Sequence, residues 1–281
     1  MNECLYHKAD LDGLCSGALI LRFVEGCKMV GIDYGENYDP PKPENIDKLY
    51  LVDFSFQPIE KMVELSNHIG REKMVWIDHH KSAIEEAKRV GLDTLPGARE
   101  IGKAGCELAW EYFNPSTEMP EAIRLLGRYD VWDLKDGVLP FQYGMRAKVK
   151  DINSPVWTAI LANHAQALAA TKEILREGEA ILEYVKLDNE KYLASCGFES
   201  QLEGHTAIVL NRLASSQAFE GSYDPAKHDM MIAFVRKNAA WRVSLFSTKE
   251  TVDCSAIAKQ YGGGGHKGAA GFICDTLPFK V

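Results

Sequence analysis

Lys73-Met74-Val75-Trp76-Ile77-Asp78-His79-His80 is the stretch on which the fold turns. An unbroken apolar run ends on an acid and two imidazoles. Such a run, without polar alternation, is the pattern of a strand covered on both faces, as in a parallel sheet. Residues 73–79 therefore read as a strand, and 3–7, 28–34 and 48–54 read the same way. Helical patterns lie between them: 14–25, then 58–69 with Pro58 as the first helical residue, then 82–90 with Ser82 as N-cap. Further helices are expected over 103–113 and 120–129. Strands alternating with helices imply right-handed crossovers and a parallel sheet.

The pattern changes further along. Residues 155–194 look helical throughout, about 60 Å of helix at 1.5 Å per residue, with Gly178 as the expected break. Strand runs return at 206–212, 230–237 and 241–248. A helix over 254–261, a run of four glycines and a strand over 269–274 follow. The expected architecture is α/β: a doubly wound parallel-sheet domain (1–150), a helical linker (151–195) and a smaller α/β domain with a mixed sheet (196–281), with a cleft between the two domains.

The 281 residues are 46% hydrophobic and 26% charged, which excludes disorder and a small disulfide scaffold. Forty acids against 32 Lys and Arg give a formal charge of −8. That balance argues against broad electrostatic capture of long duplex DNA. It leaves room for a small anionic substrate held locally, above all where metal ions supply positive charge. The seven cysteines form no C-x-x-C pair, as expected of reduced thiols in a cytoplasmic protein. No signal-peptide pattern opens the chain. The best apolar stretch, 14–24, is interrupted by Ser16, Gly17 and Arg22 and is too short to span a bilayer, so no membrane association is expected.

Four segments place acids or imidazoles at the ends of expected elements: His7-Lys8-Ala9-Asp10-Leu11-Asp12-Gly13, Leu51-Val52-Asp53-Phe54, Trp76-Ile77-Asp78-His79-His80 and Arg128-Tyr129-Asp130-Val131-Trp132-Asp133. In an open parallel sheet the carboxyl ends of strands share one edge, where ligands bind. The first three segments should therefore converge. Two carboxylates 4 Å apart repel by about 4 kcal/mol at an effective dielectric of 20. Asp10, Asp12, Asp53 and Asp78 together require protonation or intervening cations. Carboxylates with imidazoles suit Mn²⁺ or a similar ion, and the number of donors suits two ions bridged by a shared carboxylate. Taken singly, Asp12 reads as the cap of a helix starting at Gly13, and Asp53 as a residue before a turn. The joint pattern in three successive units favours the metal centre.

Gly262 to Gly265 cost about 0.5–1 kcal/mol each in backbone entropy relative to alanine. One of them serves as a helix cap; four in a row also suit a concave cradle of N–H groups for an anion, flanked by His266 and Lys267.

Asp78-His79-His80 after an apolar strand resembles the signature of the DHH phosphoesterases. HKADLDG at 7–13 is similar to the opening metal motif of that family, 51–54 to its second motif and 128–133 to its fourth. GGGGHKGAAGF at 262–272 resembles the hallmark of the DHH-associated C-terminal domain. The resemblance implies that His7 and Asp10 hold one ion, that Asp12, His79 and Asp130 hold the other, and that Asp53 bridges both. Asp133, the second acid of the fourth segment, is the alternative to Asp130 in that role. Asp78 would orient an imidazole, and His80 would face the phosphate. The three-residue step from His7 to Asp10 resembles the RecJ-like and oligoribonuclease-like branches. Gly263, Gly264, Gly265, His266 and Lys267 would form a substrate-binding lip, with Arg242 assisting. Phe246 stands where the family often carries Arg, which leaves core packing or base stacking as its role.

The function so implied is hydrolysis of phosphoester bonds in short nucleotides (dinucleotides, short oligonucleotides or linearised cyclic dinucleotides) by a water activated between two divalent ions. Mn²⁺ is the expected ion, with Mg²⁺ or Co²⁺ as alternatives. The protein would be a monomer or homodimer. Rival readings are a pyrophosphatase or polyphosphatase, a nucleoside bisphosphate phosphatase, and a nucleotide sensor without turnover.

Overall fold

The structure is a computed structural model and describes residues 1–219 and 221–281. The chain divides into two compact units, Met1–Glu179 and Ala180–Val281.

The first unit is built on β1 (Asn2–His7), β2 (Lys28–Ile32), β3 (Lys48–Val52) and β4 (Met74–Ile77). They form an all-parallel sheet in the order β2-β1-β3-β4. Side chains alternate across it as the pleat requires. Cys4, Tyr6, Val52, Val75 and Ile77 enter one core, which α1 (Leu11–Phe23), α4 (Gly105–Phe113), α5 (Glu121–Asp130) and α6 (Val138–Lys148) complete. Leu5, Leu49, Leu51, Met74 and Trp76 enter the core on the other face, under α2 (Glu60–Ile69) and α3 (Lys81–Arg89). Both faces are covered, so the runs are apolar without alternation. The chain leaves β1 for β2 on one side and returns for β3 on the other. Between β1 and β3 the strand order reverses, and in doubly wound sheets ligands bind at the carboxyl ends beside that point.

Several local expectations change. Strands β2, β3 and β4 stop two residues earlier than expected, at Ile32, Val52 and Ile77. The residues after them turn towards the sheet edge and free their side chains. Pro58 lies two residues before α2, where its carbonyl accepts the Lys61 N–H in a separate turn. Ser82 sits inside α3, and His80 holds the N-cap position. Asp10, not Asp12, caps α1, its Oδ1 accepting the Gly13 N–H at 2.9 Å.

The expected helix over 155–194 is two: α7 (Pro155–Ile160) and α8 (His164–Cys196). The break falls at 161–163, where Asn163 Oδ1 accepts the Gln166 N–H. Gly178 lies within α8 because a Cβ there would stand 1.8 Å from the Pro140 carbonyl oxygen of α6. The glycine serves close helix packing rather than a break. Helix α6 itself has no clear helical apolar spacing in the sequence, with Pro140 and Gly144 inside it.

The second unit carries a mixed six-stranded sheet in the order β5-β6-β7-β8-β10-β9. Its strands are β5 (Phe198–Leu202), β6 (His205–Leu210), β7 (Met230–Lys237), β8 (Ala240–Phe246), β9 (Gly264–Gly265) and β10 (Ala269–Cys274). Among the described residues only the β6–β7 pair of this sheet is parallel. Helix α9 (Cys254–Gln260) packs on one face through Cys254, Ile257 and Ala258, against Val209, Ile232, Val243 and Leu245. The half-exposed strand β5, with Glu199, Ser200 and Gln201 in succession between Phe198 and Leu202, went unmarked in the sequence. Among the described residues no helix is long and apolar enough to cross a membrane.

Candidate metal centre

Each acid or imidazole of the first unit reaches the site from the end of an element. His7 ends β1 and Asp10 caps α1. Asp53 follows β3, with its N–H donated to the Ile77 carbonyl at 2.9 Å. Its φ of 52° is in the left-handed region, which aspartate tolerates better than most side chains. Asp130 ends α5. Asp12, in the first turn of α1, is pinned by the N-terminus of α4: the N–H groups of Gly105 and Cys106 donate to its two oxygens at 2.8 and 2.7 Å. Those donors also complement its charge. Gly105 has a steric reason to be glycine, since a Cβ there would lie 2.7 Å from the Asp53 Cβ.

Two clusters result. In the first, His7 Nδ1 stands 3.2 Å from Asp10 Oδ2 and 3.6 Å from Asp53 Oδ2. In the second, His79 Nε2 stands 3.2 Å from Asp130 Oδ2, 3.3 Å from Asp53 Oδ1 and 3.7 Å from Asp12 Oδ2. Asp53 faces one cluster with each oxygen. His7–Asp10–Asp53 and Asp12–His79–Asp130 are each compact enough for a single cation, with ligand atoms within 4.8 Å of one another. Asp53–His79–His80 satisfies the same limit.

Asp78 lies behind the cluster, fully buried. Its Oδ1 accepts the His79 N–H at 2.8 Å and contacts His80 Nδ1 at 2.7 Å, while Oδ2 accepts Trp76 Nε1–H at 3.2 Å. The imidazole it orients is therefore that of His80. Asp133 pairs with Arg128 Nε at 2.8 Å.

The electrostatics show an excess of buried negative charge. Burial works against a protonated His7, but Asp10 and Asp53 outweigh it and push the imidazole up to about 11. Burial likewise opposes His79, which Asp53, Asp12 and Asp130 raise to about 10. Burial and the neighbouring Asp53 lift Asp130 to about 7. Burial, then Asp53 and Asp130, lift Asp12 well above the carboxylate range. Asp53 itself stays low despite burial because His7 and His79 both face it.

The donors also fit divalent cations on another ground. His7 Nδ1, Asp53 Oδ1 and Asp130 Oδ2 are buried and make no hydrogen bond. Buried polar atoms rarely stay unpartnered, and these three converge on the two clusters. Oxygen with imidazole nitrogen is the donor set of Mn²⁺-like ions.

Two features of the site went unread in the sequence. Asp33, just past β2, contacts His7 Nε2 at 3.3 Å, and the Tyr34 ring meets the His7 ring edge-on at 5.4 Å. The signal was present, since Asp33 also follows an apolar run. The 28–34 reading placed it inside the strand. The α4 N-terminus under Asp12 carries only Gly105 as a local mark.

The substrate-binding residues expected in the second unit form a separate group. Gly264 and Gly265 make β9, and the His266 N–H donates to the Ala269 carbonyl at 2.7 Å. A Cβ on Gly263 would stand 2.1 Å from the Gly271 carbonyl oxygen, and one on Gly265 would stand 2.6 Å from the Ala270 Cα. Those two glycines are needed by the hairpin. Gly264 is exposed with nothing within 4 Å of such a Cβ, so packing does not explain it. Lys267 pairs with Glu250 at 2.7 Å. Arg242 is exposed on β8, while Phe246 is 8% exposed and sits in the buried part of that strand.

Comparison with known proteins agrees with this fold. The chain is 26% identical over 247 residues to the uncharacterised protein R106 of Acanthamoeba polyphaga mimivirus, covering 82% of this chain and 55% of that protein. It thus spans about half the length of that curated relative. Its fold is similar to a DHH domain described as a member of the s1p family of ribosomal proteins (TM-score 0.56, 17% identity, 97% of this chain and 82% of that one). It is also similar to PggH, a pGpG-specific phosphodiesterase from Vibrio cholerae (TM-score 0.50, 11% identity, 98% and 93%). Residues 4–127 match the DHH family, N-terminal domain. Residues 4–127 are thus a DHH-type N-terminal domain, of a family whose members are phosphoesterases.

Proposed function

We propose that this protein hydrolyses phosphoester bonds in short nucleotides with two divalent ions, Mn²⁺ in the first place. The observation that carries this reading is Asp53, one oxygen towards His7 and Asp10 and the other towards His79, Asp130 and Asp12. When bound, such ions would supply Lewis acidity and lower the pKa of water. His7, Asp10 and Asp53 would hold one, and Asp12, His79, Asp130 and Asp53 the other. The α4 N-terminus keeps Asp12 in place through two N–H donors. His80, 31% exposed at its side chain and fixed by Asp78, donates to the phosphate and steadies the charge that develops there. We assign Gly263–Gly265, His266, Lys267 and Arg242 to substrate binding.

The −8 charge supports small substrates over long duplexes. All seven cysteines are free thiols, in keeping with a reducing cytoplasm. The test is hydrolysis by the purified chain in Mn²⁺, Mg²⁺ and Co²⁺ against every dinucleotide, short oligonucleotides and cyclic dinucleotides. Pyrophosphate and 3′-phosphoadenosine 5′-phosphate stand in for the rival chemistries. Release of mononucleotide from dinucleotides is expected. No turnover of any nucleotide in any of the metals would overturn the reading.

A further inference from the structure

Asp33 lies one residue past Ile32, the residue paired with His7 across the β1–β2 ladder. The two ring nitrogens of His7 face different groups. Nε2 is 3.3 Å from Asp33 Oδ1, on the half-exposed side. Nδ1 points at Asp10 and Asp53, is buried and makes no hydrogen bond.

We propose that Asp33 is a positioning residue: it accepts the Nε2–H of His7 and so leaves the Nδ1 lone pair aimed at Asp10 and Asp53, making His7 an Nδ1 ligand of the first cation. The inference rests on the two-metal reading above and adds to it which ring nitrogen binds and what selects it. A neutral imidazole has one N–H and one lone pair, and the acceptor at one nitrogen decides which is which. Metal-bound histidines commonly donate the remote N–H to a carboxylate, which orients the ring and raises its basicity.

Asp33 is itself held. Its Oδ1 accepts the Tyr34 N–H at 2.7 Å, and its own N–H donates to Glu36 Oε2 at 3.0 Å. Lys8 Nζ clasps both Glu36 oxygens at 2.6 and 2.7 Å. The same loop supplies Tyr34, whose ring meets His7 at 5.4 Å and His80 at 6.3 Å, both edge-on. That contact restricts rotation of the His7 ring. Residues 33–36 thus form an outer layer to the His7 side of the centre.

The full chain carrying Asp33→Ala, Asp33→Asn or His7→Ala tests this. Mn²⁺ binding is followed by calorimetry. The ligating nitrogen is identified by ¹¹³Cd–¹⁵N coupling in protein labelled at histidine. Coupling to His7 Nδ1, with the proton on Nε2, is expected in the unaltered chain. Asp33→Ala should weaken one of the two Mn²⁺ ions by about 10–100-fold. Asp33→Asn, which keeps the acceptor oxygen, should retain most of that affinity, which a merely structural role would not require. Coupling through Nε2, or full Mn²⁺ affinity in Asp33→Ala while His7→Ala loses an ion, overturns the inference alone. Full affinity for both ions in His7→Ala likewise overturns the inference alone, whereas binding of fewer than two Mn²⁺ ions by the unaltered chain overturns the two-metal reading beneath it.

Discussion

Asp53 Oδ1 stands 3.3 Å from His79 Nε2, with both side chains nearly inaccessible to solvent. The other oxygen of Asp53 faces His7. One carboxylate therefore belongs to two clusters, and its backbone is held at a φ of 52° to do so.

Asp53→Asn should abolish hydrolysis, by about 10³-fold or more, the scale of several kcal/mol of lost metal stabilisation. Asparagine tolerates the left-handed backbone, so the metal-free protein should still fold and melt cooperatively, with a shift that reflects only the lost charge beside His7 and His79. Alanine at this φ would add strain of about 1–3 kcal/mol and confound the result. Hydrolysis rates and a thermal melt on the same sample separate charge from fold.

The metal-free protein should lose stability as pH rises. His7 and His79 titrate at about 11 and about 10, above the ordinary 6.5. A raised imidazole stabilises the fold fully below 6.5, and the contribution disappears as pH climbs through 10 to 11. Asp130, raised from 3.8 to about 7, has the same sign over a lower window: folding favours its protonated form, an advantage lost between those values. Melting after EDTA treatment should fall by roughly 5 °C or more from pH 6 to pH 10. Mn²⁺ requires deprotonated ligands, so it should flatten this slope. A level profile without metal would contradict the charge distribution described here.

His80→Ala should lower kcat by about 10²–10⁴-fold, the range for a group that moves or holds a proton in the transition state. The number of Mn²⁺ ions bound, measured by calorimetry, should stay at two. Loss of an ion would instead make His80 a metal ligand, which its grouping with Asp53 and His79 permits.

Two glycines should respond in opposite ways. Gly178→Ala drives a Cβ into the Pro140 carbonyl, 1.8 Å away, and should cost about 1–3 kcal/mol or more. Gly264→Ala meets nothing within 4 Å and should raise stability by about 0.4–1 kcal/mol. If Gly264 is kept for close approach of substrate, its alanine variant should still raise KM, by about tenfold, or 1.4 kcal/mol. Denaturant melts and substrate titrations read the two effects separately.

The alternation of β1 to β4 with helices, and the placing of His7, Asp53 and Asp78 at strand ends, were determined by the sequence alone. Apolar periodicity and the residue types that end a strand are local properties, so 73–80 could be read without its neighbours. Which groups meet was decided by tertiary structure. The strand order β2-β1-β3-β4 sets the ends of β1 and β3 side by side. Early termination of β2 turns Asp33 towards His7, and the N-terminus of α4, 93 residues along the chain, binds Asp12. The pairing of Asp133 with Arg128, and the close packing that makes position 178 glycine inside a helix, likewise depend on contacts made only in the folded chain. Energies of burial and of charge–charge contact depend on distance in space, and residue spacing along the chain does not encode that distance.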